Sequence, residues 1–222
     1  PPFLTFFGLY AAASRLEHMS AALAHAEKGL ALAERLSDGG AITEAETSLA
    51  NVLFLAGDIN RALNLYHQGW ESATKSGNLV ALSRSATQLS FFYATFRDAD
   101  RALLWARQAV DASRQAGFFR NQVLSALLLA WAVMLRGDAP GALSSLETAE
   151  QVARKGGAQV TQWTHGAIIT PGLVQFSTGD WDKAEMELLK CLETSKQTHH
   201  VGVELTWVTP ALGWLYMERG DL

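Results

Sequence analysis

One cysteine, Cys191, stands in 222 residues, so no internal disulfide can form and the chain fits a reducing, cytoplasmic compartment. Proline is scarce too, with five residues, and no Pro- or Ser-rich linker divides the chain. No apolar run reaches the roughly 18 residues of a membrane span. The apolar opening PPFLTFFGLYAAA is too short for one and lacks the basic flank of a signal peptide. Dense basic runs are absent: 18 Lys and Arg face 22 Asp and Glu, for a net charge of −4 and a pI near 5.9. That balance argues against direct nucleic-acid contact by this segment.

The spacings that carry catalysis are missing as well. The sequence holds no GxxxxGK[ST] or GxGxxG phosphate loop, no HExxH and no CxxC. His199 and His200 are adjacent, and neighbours on a chain rarely converge on one metal. Ser72 and Lys75 match SxxK only formally. These absences point to a chain that is not an enzyme and uses no cofactor or metal.

What the chain does contain is a repeat. AGDINRAL at 56–63 returns as FRDADRAL at 96–103, RGDAPGAL at 136–143 and TGDWDKAE at 178–185. The Ala-Leu anchor falls at Ala22-Leu23, Ala62-Leu63, Ala102-Leu103 and Ala142-Leu143, with Ala184-Glu185 as a looser copy. The period is 40 to 42 residues, and periods of this size mark repeat architectures. Between turns the apolar spacing is helical: Ile42, Ala45, Leu49, Val52, Leu53 and Ala56 recur at intervals of three and four. Gly in the turn can end one helix in the left-handed conformation, and the Asp after it can cap the next. Arg97 is the misfit, because a side chain strains that conformation. Each unit is therefore a helical hairpin that buries its apolar faces only by stacking on its neighbours. Residues 1–222 read as a single all-α solenoid of about five hairpins plus one extra helix, cut from a longer protein. Pro171 and Pro210 fall within first helices, where each is expected to kink its helix and free the carbonyls of Ala167 and Thr206.

The pattern resembles the tetratricopeptide repeat (TPR) family. In that family a small residue sits midway along the first helix, matched here by Ala50, Ser90, Ala130, Gly172 and Gly213. An early Ala follows in the second helix, matched by Ala22, Ala62, Ala102, Ala142 and Ala184. A later small position reads Gly29, Gly69, Ala109, Ala149 and Cys191. The match covers essentially the whole chain but departs in its longer period and its lack of the usual helix-ending proline. Repeats of this longer kind are similar to the arrays of bacterial signal-transduction ATPases and of LuxR-like regulators of the maltose-activator type. The resemblance implies a right-handed α-α superhelix serving as a sensor or scaffold in signalling or transcription regulation.

It also implies that the first helices line a concave face. Counting from the mid-helix small position, that face carries Asn51, Phe91, Trp131, Leu173 and Trp214, then Phe54, Met134, Phe176 and Met217, with Trp207 near a helix start. The groove is expected to be polar at its N-terminal end, through Glu44, Asn51, Arg84 and Thr87, and aromatic toward the other. Exposed apolar patches mark binding sites, and Trp and Met suit adaptable contacts. The expected partner is a protein or peptide, with a small-molecule effector as a further expectation. The alternative is a pure interaction or oligomerisation scaffold that binds partner helices through groove or open ends. A helix over 3–16, apolar nearly all round, needs a cover at that end. Phe3, Phe6 and Phe7 are its expected contacts, to a partner or to a second copy of the chain.

Overall fold

The computed structural model describes residues 2–37, 39–157, 169–197 and 208–220, with side chains from Met19 onward except 195 and 197. Ten helices and no strand occur among the described residues. They are α1 (Pro2–Leu36), α2 (Gly39–Ala56), α3 (Ile59–Ser76), α4 (Leu79–Thr95), α5 (Ala99–Ala116), α6 (Phe119–Leu135), α7 (Ala139–Gly156), α8 (Thr170–Ser177), α9 (Trp181–Gln197) and α10 (Thr209–Arg219). No helix among these residues is long and apolar enough to cross a membrane.

The Gly-Asp dipeptide explains both ends that it joins. Gly57, Gly137 and Gly179 take positive φ of 87°, 80° and 80°. The following Asp N–H then reaches back five residues, as from Asp58 to the Leu53 carbonyl at 2.9 Å, which closes the first helix in a Schellman motif. The Asp side chain opens the second helix. Oδ1 of Asp58, Asp98, Asp138 and Asp180 accepts the N–H of Arg61, Arg101, Gly141 and Lys183 at 3.3, 3.1, 2.9 and 3.2 Å. Each such cap contributes about 1 kcal/mol. Arg97 adopts the glycine conformation at φ 59° without being glycine.

The small residues sit where helices approach closest. Ala50, Ser90 and Ala130 on the first helices are fully buried, as are Ala62, Ala102, Ala142 and Ala184 on the second. Each helix packs on its neighbours in sequence, and α2, α4, α6 and α8 also pack on one another in turn. Among the described residues, the backbones of α3, α5, α7 and α9 make no comparable approach to one another, although side chains of α3 and α5 meet. The first helices thus form the inner layer of the array, and their free faces form its concave side. The apolar core runs unbroken beneath them, because Met134 packs against both its first and second clusters and Leu173 against both its first and third.

Two details differ from the expectation. The first unit is not a hairpin with an opening helix at 3–16, because Pro2–Leu36 is one helix of 35 residues. One 40-residue period before Gly57-Asp58 stand Glu17 and His18, which supply neither the left-handed glycine nor the capping Asp. The second detail concerns proline. Pro171 and Pro210 lie in the first turn of α8 and α10, a position that tolerates proline. Ala167 and Thr206, whose carbonyls they were expected to free, lie outside the described residues.

Candidate functional site

A polar groove of about 610 Å³ crosses the N-terminal halves of α2, α4 and α6 on the concave side. The 40-residue period builds it in rows. Gly40, Val80 and Arg120 line one row, Ala41, Ala81 and Asn121 the next, and Glu44, Arg84 and Leu124 a third. Helices of equal pitch, stacked in register, bring residues one period apart to the same height.

The row of Glu44 and Arg84 carries charge. Arg84 Nη1 donates to Glu44 Oε1 at 2.7 Å across neighbouring helices. The two side chains are 41% and 65% exposed, so solvent screens the pair and its net stabilisation is small. Asn51 Oδ1 accepts the Tyr66 hydroxyl at 2.6 Å. Burial pushes the Tyr66 phenol well above its ordinary range, so it remains a donor. Thr47 and Thr87 turn their hydroxyls onto their own helices, to the carbonyls of Thr43 and Ser83 at 2.8 and 2.6 Å. Asn121 is 6% exposed, and its Nδ2 has no hydrogen-bond partner.

The four polar residues expected at the N-terminal end, Glu44, Asn51, Arg84 and Thr87, do meet in one groove. The aromatic residues form a spine rather than an open trough. Phe54 packs edge-on against Phe91 at 6.1 Å, and Phe91 against Trp131 at 5.9 Å. Phe54, Phe91, Met134 and Phe176 are half-buried. The expectation that Trp131 faces a ligand is corrected, because the ring is only 7% exposed. α8 packs on α6, and Leu173 joins the cluster that holds Trp131. Further along, Phe176 meets Trp214 at 6.4 Å. Trp214 and Met217 are 62% and 67% exposed on α10. Trp214 Nε1 donates to Glu218 at 3.0 Å. Trp207, His199, His200 and the side chains of Phe3, Phe6 and Phe7 lie outside the described residues.

Sequence reasoning missed Arg120 and Asn121. It counted outward from the mid-helix small position and stopped short of the first turn. The signal that finds them is the period itself, one step of 40 beyond Val80 and Ala81. A second aromatic gathering lies between α3 and α5. Trp70 and Trp105 cross edge-on at 5.1 Å, His67 packs on Trp105 at 5.6 Å, and the His67 ring lies 3.3 Å from the Tyr93 hydroxyl. Burial lowers the His67 pKa, and the nearby Glu71 opposes that shift. Cys191 is 1% exposed, and burial pushes its thiol up to about 11, which makes it a packing residue and a poor nucleophile.

No family profile and no curated protein matches the chain. Among solved structures, BtubC (BKLC) from P. vanneervenii is similar at a TM-score of 0.64 and 19% identity, over 91% of this chain and 85% of that one. A putative kinesin light chain from Podosopora anserina with nearly identical TPR-like repeats is similar at 0.58 and 15%, over 87% and 94%. The apo form of RapI is similar at 0.51 and 12%, over 86% of this chain and 54% of that one. At these identities the likeness is one of fold, and the fold is a TPR-like all-α solenoid.

Proposed function

We propose that the chain is a non-catalytic binding module whose concave groove receives an extended segment of a partner protein or peptide. The observation that carries this reading is the groove over α2, α4 and α6, where three successive units each contribute polar side chains. Its volume lies in the range of ligand sites. Its side-chain amides and charged groups suit a backbone whose own donors and acceptors need partners. The half-buried rings of Phe54 and Phe91 beside it would take apolar side chains of the same segment.

In its finer form the module is a cytoplasmic sensor or scaffold in a bacterial signalling or transcription-regulatory protein, with a small-molecule effector as a further ligand class. The long-period repeat supports that setting, and the single buried cysteine is compatible with it. A second reading is an end-on contact with a partner helix, favoured by the exposure of Trp214 and Met217 on α10.

A fluorescence-anisotropy screen of labelled extended peptides tests the groove. Binding of a peptide is expected to weaken about tenfold in Arg84→Ala, as for loss of a charge-assisted hydrogen bond, with melting temperature unchanged. Equal affinity in Arg84→Ala and loss in Trp214→Ala would move the site to the exposed end.

A further inference from the structure

We infer that the head of the groove, at the N-terminus of α6, is a site for a dianionic phosphate group carried by the ligand. The inference rests on the groove reading and specifies its chemistry. Three inner helices bring their N-terminal turns to one cavity, through Gly40 and Ala41, Val80 and Ala81, and Arg120 and Asn121, although α4 is already capped, its Ala81 N–H donating to Asn78 Oδ1 at 3.1 Å. Helix N-termini favour anions, and none of these three first turns contains an acidic residue. α6 also opens on Phe118, with no side-chain cap. Asn121 stands in that first turn, 6% exposed, with an amide nitrogen that meets no partner. A buried donor left unmade costs free energy, and an oxyanion in the groove is the acceptor it lacks. Arg84 and Arg120 add two guanidinium groups to the same lining.

Glu44 decides between phosphate and carboxylate. Its carboxylate already holds Arg84 at 2.7 Å. A ligand carboxylate would exchange a like group against one tethered at high effective concentration, with little gain. A phosphate monoester brings close to two charges and three strong acceptor oxygens, enough to reach Arg84 and Asn121 together. Glu44 is 65% exposed and free to swing into solvent. It therefore acts as a resident competitor that sets a threshold of charge for entry.

The test titrates the whole chain with inorganic phosphate, O-phosphoserine and a serine phosphopeptide at constant ionic strength, following side-chain and backbone amides by NMR. The Asn121 side-chain amide and the first-turn amides of α6 are expected to shift and saturate. Arg84→Gln is expected to weaken phosphate about tenfold. Glu44→Gln is expected to tighten it about three- to tenfold, a gain that misfolding cannot produce. Equal affinity for phosphate and phosphopeptide assigns the site to free phosphate esters, and a tighter phosphopeptide assigns it to a phosphorylated segment. An unshifted Asn121 amide, or an unchanged affinity in Glu44→Gln, overturns the site. Unphosphorylated peptide that still binds the wild-type groove would then leave the groove reading standing, whereas phosphate binding without any peptide binding would retain the site and remove that reading.

Discussion

Arg97 holds a backbone conformation that its counterparts assign to glycine. Its φ of 59° compares with 87°, 80° and 80° at Gly57, Gly137 and Gly179. A left-handed conformation costs a residue with a Cβ about 1–2 kcal/mol. Arg97→Gly is therefore expected to stabilise the chain by about 1 kcal/mol, read as a higher urea midpoint at unchanged slope. Glu46 shows a different local conflict. Burial lifts its carboxyl above the ordinary value of 4.5, the Ser72 hydroxyl opposes that shift, and the Glu34 carboxylate adds to it. One of its oxygens has no hydrogen-bond partner. A raised folded pKa gives a contribution that is complete below 4.5 and lost as pH rises through the folded value. Ionised Glu46 thus opposes folding at neutral pH. Glu46→Gln should raise the urea midpoint at pH 7, and the advantage should shrink toward pH 4. A gap that is equal at both pH values would count against this account.

At the scale of the element, closeness of approach governs. A Cβ added at Gly172 would stand 2.6 Å from Leu188 Cγ, and Leu188 is 1% exposed with nowhere to move. Helix propensity alone favours alanine over glycine by about 1 kcal/mol. Overpacking of about 1–3 kcal/mol outweighs it, so Gly172→Ala is expected to lower the melting temperature. A variant as stable as the parent would mean that α8 and α9 slide apart freely. The elements were legible wherever turn chemistry repeats, because the Gly-Asp dipeptide states both a stop and a start. They were not legible at α1, where Glu17 and His18 replace that dipeptide and helical spacing simply continues. Within the site, the charged row of Glu44 and Arg84 could be read from the period. The burial of Trp131 could not, since it depends on how closely α8 lies against α6.

For the molecule as a whole, the sequence of contacts is linear. Among the described residues, each hairpin packs chiefly on its neighbours, and the core passes from cluster to cluster through shared residues. Ends are then the weak points of such an array. We propose that the apolar segment holding Phe3, Phe6 and Phe7 is covered by a second copy of the chain. Sedimentation equilibrium is expected to show a mass that rises with protein concentration, and Phe6→Asp should abolish the rise. A mass that stays at 24.1 kDa at every concentration would dispose of the proposal.

The rows that line the groove have a consequence for change in length. Duplication of one 40-residue unit, such as 59–98, would add a rung and keep every existing row aligned. Deletion of a single residue of α4 ahead of Arg84 would turn each side chain beyond it by about 100° around the helix and take Arg84 away from Glu44. Growth by whole units is therefore open to this protein, and growth by single residues is confined to its turns.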